Sequence, residues 1–208
     1  MLLADFYATV SDSLKRGTTL DGMIPRYSRM ACAWMERNYS FRYMEQYRVL
    51  QITAGDRTIS LHSNQQIKRI EMIRLIQLDG SYTQLKRFSP RDFTAVETGP
   101  SQGFWVAGNH TLVLENIPGE ALVGEALFEC YSDWPTASGE THPLLLQASD
   151  VMLYQVLMMM SPHMRDGRVF EAYKLMRDEA LNTLTRAEDE FAHGGVDSSM
   201  AYIPFLAG

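Results

Sequence analysis

The chain has 208 residues, room for one medium domain or two small ones and enough to bury a core without disulfide or metal staples. Nineteen basic against twenty-five acidic side chains leave a net charge of −6, which argues against broad non-specific binding to nucleic acid or anionic membranes. Its two cysteines, Cys32 and Cys130, stand far apart in no CxxC-type spacing, so neither a disulfide framework nor a zinc site is written here, and both read as reduced, buried small hydrophobes of a cytosolic product.

The opening "MLLADFYATVSDSLKRG" lacks the basic n-region and cleavage site of a signal peptide, because Asp5 arrives at once and the basic residues follow the apolar stretch. Leu3, Phe6, Tyr7, Val10 and Leu14 instead recur at helical spacing up to Gly17. A second helix is expected with Ile24, Tyr27, Met30 or Ala31, and Trp34 on one side and Pro25 in its first turn, where a missing N–H costs little. The short connection predicts an antiparallel helix pair.

From about residue 47 the texture changes. "YRVLQITAGDRTISL" alternates and carries a Gly-Asp turn, which predicts two short strands. "IKRIEMIRLIQLDGSYTQLKRF" holds the strongest hairpin signal, Asp79-Gly80 between two apolar-rich arms. Ile67, Ile70, Ile73 and Ile76 recur by three, a helical spacing, but their β-branched character and the following turn favour a strand. "SPRDFTAVE" predicts one or two helical turns with Ser89 as N-cap and Pro90 at N1. "GFWVAGNHTLVLENIPGEALVGEALFECYSDWP" predicts three strands punctuated by Gly108-Asn109, Pro118-Gly119 and Pro135, with Leu112 and Leu114 sharing one face and Ala126, Phe128 and Cys130 another.

Helices return after the polar "PTASGETHP". Leu144 to Met160 is apolar nearly all round, interrupted by Asp150 and Gln155, and the longest apolar stretch, residues 151 to 160 apart from Gln155, is too short to span a bilayer, which takes about 20 apolar residues. Asp166 to about His193 is amphipathic, with Phe170, Tyr173, Met176 or Arg177, Ala180, Leu184, Ala187 and Phe191 as its expected apolar stripe. Gly194-Gly195 ends it. No internal repeat or low-complexity tract interrupts the chain.

Residues 151 to 164 put five methionines and a histidine into fourteen positions, so a soft-metal site must be weighed against a helix core. Met158, Met159 and Met160 are consecutive and point about 100° apart on a helix, so they cannot converge on one ion; the core or subunit-contact reading is favoured. His163 reads as a helix-end residue, and His62, His110, His142 and His193 form no HxxxH or HxH pair. There is no GxSxG, GxxxxGK[ST] or GxGxxG, and "EDE" at 188 to 190 reads as a solvated helix face. Neither an active site nor a cofactor is predicted.

Two features invite a partner. Lys68, Arg69, Arg74, Lys86, Arg87 and Arg91 bracket the Asp79-Gly80 turn and form a candidate basic contact patch for phosphate, against the more ordinary readings of a wet sheet face or acidic neighbours. After Gly194-Gly195 the chain ends in "MAYIPFLAG", where Met200, Tyr202, Ile203, Phe205 and Leu206 are unlike the polar composition of a free terminus. That arm is expected to pack on its own domain, a neighbouring subunit or a partner.

The order of parts, "LLADFYATVSDSLKRGTTLDGMIPRYSRMACAWMERN", then "GFWVAGNHTLVLEN" and "ALFECYSDWP", then "LLLQASDVMLYQVLMMMSPHMRDGRVFEAYKLMRDEALNTLTRAEDE", resembles the head-to-tail adaptor (connector) proteins of tailed bacteriophages. The matching features are Ile24-Pro25 near the second helix, a strand ending in Tyr-x-x-x-Pro from Tyr131 to Pro135, an Asp-x-x-Leu-Tyr run from Asp150 to Tyr154, and the pattern of "FEAYKLMRDEALNTL". They are packing patterns rather than chemical signatures, cover residues 2 to about 192, and leave the terminal arm unmatched.

The resemblance implies an α+β fold in which residues 1–46 and 136–195 form a helical bundle, 47–135 an inserted antiparallel β unit and 196–208 a C-terminal arm. It also implies a structural virion protein and no enzyme. Assembled in the host cytoplasm as a twelvefold ring, it would dock on the portal protein, extend the channel through which DNA passes without sequence-specific binding, and present a surface to tail or neck proteins. A free chain could stay monomeric until the portal templates it. The competing expectations are a lower neck or tail completion protein, a DNA-binding module using the basic patch, and a metal protein in which His163 and Met164 converge with another sulfur.

Overall fold

A computed structural model describes residues 1–14, 17–61, 65–77, 80–89, 91, 97–108, 111–164 and 167–193. The fold is α+β, with helices before and after a central pair of sheets. It divides into two compact units, one made of Met1–Met35 with the chain from Trp134 onward and the other of Glu36–Asp133. Among the described residues no helix is long and apolar enough to cross a membrane.

In the helical unit, α1 (Leu3–Leu14) buries Leu3, Phe6, Val10 and Leu14, the i, i+3, i+4 spacing that marks one helix face. Its first amides are held by the loop before the C-terminal helices, where Glu140 and Ser138 carbonyls accept from Leu3 and Ala4 N–H at 2.9 and 3.2 Å. A 3₁₀ stretch, Gly17–Met23, leads into α2 (Ile24–Asn38). There Ala31 is fully buried while Met30 is exposed, which decides the alternative left open by the spacing. The expected α1–α2 pair is replaced by another neighbour, since α1 packs on the helix Ser149–Met160.

The apolar run from Leu144 to Met160 is not one helix. It breaks at Ala148 into α3 (Pro143–Gln147) and α4 (Ser149–Met160), because Ala148 leaves helical geometry at φ −145° and ψ 44°. Along α4 no side chain from Val151 to Met160 is exposed, as a helix apolar on every side requires. It packs against α1, α3 and α5 (Gly167–His193). The predicted stripe on α5 needs correction: Phe170, Met176 and Ala187 are exposed, whereas Arg177 is nearly covered and Leu181 is buried, and the Phe191 side chain lies outside the described ones.

In the β unit, β1 (Glu45–Ile52), β8 (Leu122–Cys130), β3 (Ile67–Ile76) and β4 (Tyr82–Gln84) form one sheet in that order. The second sheet runs β2 (Thr58–Ser60), β7 (Thr111–Leu114), β6 (Gly103–Ala107) and β5 (Lys86–Arg87). Among the described strands the pairings are antiparallel except β5 with β6, a short parallel pair that departs from the purely antiparallel expectation, as does the isolated parallel bridge of Thr98 with Ile117. The chain passes from the first sheet to the second at Leu85, immediately after β4, and the long connection of residues 88–102 lets β6 run in the same direction as β5. The two inner faces share a core containing Leu50, Ile59, Ile73, Phe104, Leu112 and Phe128.

The three-residue spacing of isoleucines resolves here. Ile67, Ile70 and Ile73 lie opposite Cys130, Phe128 and Ala126, so β3 advances three residues for every two of β8. Two register shifts, at Ile67/Arg69 and Ile70/Met72, insert the extra residues. Each β-bulge flips the alternation once, so a helix-like period keeps all three isoleucines on the inner face. The expected hairpin joins β3 to β4, with Gly80 at φ +81°, a backbone region that favours glycine; Asp79 is outside the described residues. So is most of "SPRDFTAVE", of which only Ser89, Arg91 and Glu97 are described.

Candidate functional site

The basic patch divides between the sheets. Lys68, Arg69 and Arg74 lie on β3, whereas Lys86 and Arg87 are exposed on β5 of the second sheet and Arg91 is exposed beyond it. On β3 each cation meets a carboxylate. Glu129 of β8, 3 % exposed, accepts from Arg69 Nη2 at 3.0 Å and from Ser40 Oγ at 3.0 Å, and stands 3.5 Å from Lys68 Nζ. Lys68 also donates to the Tyr39 carbonyl at 2.6 Å, and Arg69 pairs with Glu71. Arg74 pairs with Glu125.

The Arg74–Glu125 pair sits in the outer face of the first sheet. Register places Val49, Glu125, Arg74 and Gln84 in one row across β1, β8, β3 and β4, and Gln51, Val123, Ile76 and Tyr82 in the next. Tyr47 donates its hydroxyl to Glu125, and the Arg74 guanidinium lies 4.5 Å from the centre of the Tyr82 ring. Burial, then the hydrogen bond to Glu125 and its charge, push the Tyr47 phenol up to about 12. The phenol therefore stays protonated and donating throughout the neutral range.

Within the helical unit, the methionine-rich segment is core. Met152 and Met160 are fully buried, and Met158 Sδ accepts from Arg177 Nη1 at 3.5 Å. His163 Nε2 is 2.8 Å from the Tyr27 hydroxyl. His142, the residue before Pro143, caps α3: its Nδ1 accepts from Leu144 N–H at 3.2 Å. That bond fixes the proton on Nε2, which faces Cys32 Sγ at 3.8 Å. Burial pulls the imidazole down to about 4, so it is neutral at pH 7. Cys32 and Cys130 are both buried and neither forms a disulfide.

Arg177 is the polar hub that sequence spacing left as an alternative to Met176. Its Nη1 donates to Gln155 Oε1 at 3.0 Å, its remaining nitrogens engage Asp178, and its carbon lies 5.1 Å from the Trp34 ring centre. The signal was present in Gln155, a polar residue within the apolar stretch from 151 to 160. His142 was legible in the same way, because a hydrogen-bond acceptor before proline marks a helix start. The terminal-arm candidates Met200, Tyr202, Ile203, Phe205 and Leu206 lie outside the described residues.

The model of the family described as SU10 adaptor protein matches residues 1–198. The chain belongs to this family of phage head-to-tail adaptors. No curated protein matches the chain.

Proposed function

We propose that this member of the SU10 adaptor protein family is a structural component of a tailed-phage virion with no chemistry of its own. Copies assembled in the host cytoplasm form a twelvefold ring beneath the portal protein, extend the DNA channel and offer a surface to tail or neck proteins. The observation that carries the reading is the family match, which takes in the flanking helices and the β unit together. The net charge of −6 suits a channel through which DNA slides, since each phosphate neutralised by Lys or Arg would add affinity.

The arrangement of the β3 cations also favours a protein role over DNA binding, because Lys68, Arg69 and Arg74 already face Glu129, Glu71 and Glu125. We assign the apolar arm, 196–208, to contact with the portal or a neighbouring subunit through Met200, Tyr202, Ile203, Phe205 and Leu206. The arm would tether the helical unit, with the β unit inserted in it, to that partner.

Sedimentation velocity of the chain alone and mixed with the portal ring of the same genome tests the function. One saturable complex near one chain per portal subunit is expected. A discrete ring or tail-like polymer forming without the portal would move the protein to the lower neck or tail. A chain that remains monomeric and ignores the portal would overturn the virion reading. Removal of residues 196–208 should weaken portal binding, and unchanged binding would sink the role of the arm.

A further inference from the structure

Among the described residues the β unit exposes its large apolar side chains on one face. These are Tyr47 at 41 %, Val49 at 55 %, Tyr82 at 57 % and Val123 at 36 %. All four lie on the outer side of the sheet β1-β8-β3-β4, as the register rows require. Single exposed apolar residues scattered over a surface need no explanation. Four gathered on one side of one sheet do.

The charges within this face are satisfied inside it. Glu125 takes Tyr47 and Arg74, and Arg74 lies over Tyr82, so one line of contacts crosses all four strands. An occupant therefore need bring no counter-charge, and the paired cation is poorly placed to hold phosphate. Tyrosine and arginine held this way resemble the anchors of protein interfaces, and their fixed rotamers lower the ordering cost of association. The eight residues of β1 span about 27 Å and four strands about 19 Å. That footprint, up to roughly 500 Å², is of the order needed for one side of a standard interface, about 800 Å² of accessible surface.

We infer that this sheet face is a docking surface whose occupant is a second copy of the chain, the neighbour in the assembled ring. The inference rests on the ring reading above and names the surface that ring contact uses. A neutral, aromatic-rich face repeated on every copy suits a contact formed only when copies are brought side by side, whereas a nucleic-acid channel would demand unpaired cations.

The test uses the full chain, its portal ring and two variants. Val49→Lys changes an exposed residue midway along β1, the edge strand of the face, and Leu175→Lys changes an exposed residue of α5 outside it. Circular dichroism confirms that each folds. Copies bound per portal are measured by sedimentation, and tyrosine labelling of Tyr82 is followed at sparse and at saturating loading. Expected are protection of Tyr82 at saturation but not when isolated copies bind, and, because a lysine would be desolvated at the contact, about tenfold or more weaker filling by Val49→Lys with Leu175→Lys unchanged.

Filling by Val49→Lys as by the unaltered chain, or Tyr82 still fully labelled in a saturated ring, overturns the inference while leaving the adaptor function standing. Protection already complete at sparse loading assigns the face to the portal instead and also overturns it. If the unaltered chain never binds the portal, the adaptor reading fails by itself. The face is then judged on the chain alone at high concentration, where self-association weakened by Val49→Lys upholds the contact and a strict monomer removes it.

Discussion

Glu129→Ala should be the most costly single carboxylate loss in the β unit. The side chain is 3 % exposed and serves two cations of different standing. Arg69 is 55 % exposed, so solvent screens its pair, which contributes about 1 kcal/mol or less. Lys68 is 13 % exposed, so truncating Glu129 leaves a largely covered ammonium with two neutral oxygens, the Tyr39 carbonyl at 2.6 Å and Ser40 Oγ at 3.3 Å. Breaking a buried pair from one side costs about 3–5 kcal/mol, and the surviving acceptors lower the expectation to about 2–4 kcal/mol. Glu129→Gln, which keeps the volume and an amide oxygen, should lose about half as much. The combined Lys68→Met and Glu129→Leu variant should recover most of the loss, because apolar side chains of similar volume replace a buried pair at little cost. Urea denaturation at pH 7 measures all of these. A loss under about 0.5 kcal/mol for Glu129→Ala, or a double-mutant coupling larger with Arg69 than with Lys68, would refute the assignment of energy by burial.

Arg177→Lys keeps the charge but not the planar fork that reaches Gln155 and covers Trp34, so it should lower stability by about 1–2 kcal/mol; equal melting temperatures would show that the stack contributes nothing. His142 is buried and neutral, held down to about 4 from an unfolded value near 6.5. The unfolded chain then binds its proton first on acidification, so this group's stability is full above pH 6.5 and falls by about 3 kcal/mol in total as pH drops through 6.5 to 4. His142→Asn, which retains a capping oxygen, should flatten that acid limb of the stability curve, and an unchanged limb would assign it elsewhere. A methyl group on Gly103 would lie 1.9 Å from a Phe88 ring carbon and 2.9 Å from the Lys86 carbonyl oxygen. Gly103→Ala should therefore destabilise by about 1–3 kcal/mol in a thermal melt, and a neutral result would mean that the ring swings aside while the β5–β6 pair relaxes.

What was legible in the sequence follows periodicity. Leu3, Phe6, Val10 and Leu14 announced the buried face of α1 because helix spacing maps directly onto one side. The alternating Ala126, Phe128 and Cys130 likewise announced the inner face of β8. The resemblance in order of parts was readable for the same reason: it consists of packing patterns spread over most of the chain. By contrast, the sequence from Leu144 to Met160 reads as continuous, since nothing in its composition shows that Ala148 leaves the helix.

The sequence by itself determined the class of most described segments, the apolar faces of α1 and β8 and the scarcity of catalytic motifs, because those depend on neighbours a few residues apart. Only tertiary structure decided that the six basic residues separate onto two sheets, that β3 carries two bulges, that Arg177 rather than Met176 faces Gln155, and that Tyr47, Glu125, Arg74 and Tyr82 join into one line. Those arrangements depend on strand order and register between residues as much as 78 positions apart, as in the Tyr47–Glu125 contact. Local propensity carries no information about which distant strand will lie alongside, and the free energy that selects it comes from burying the shared core.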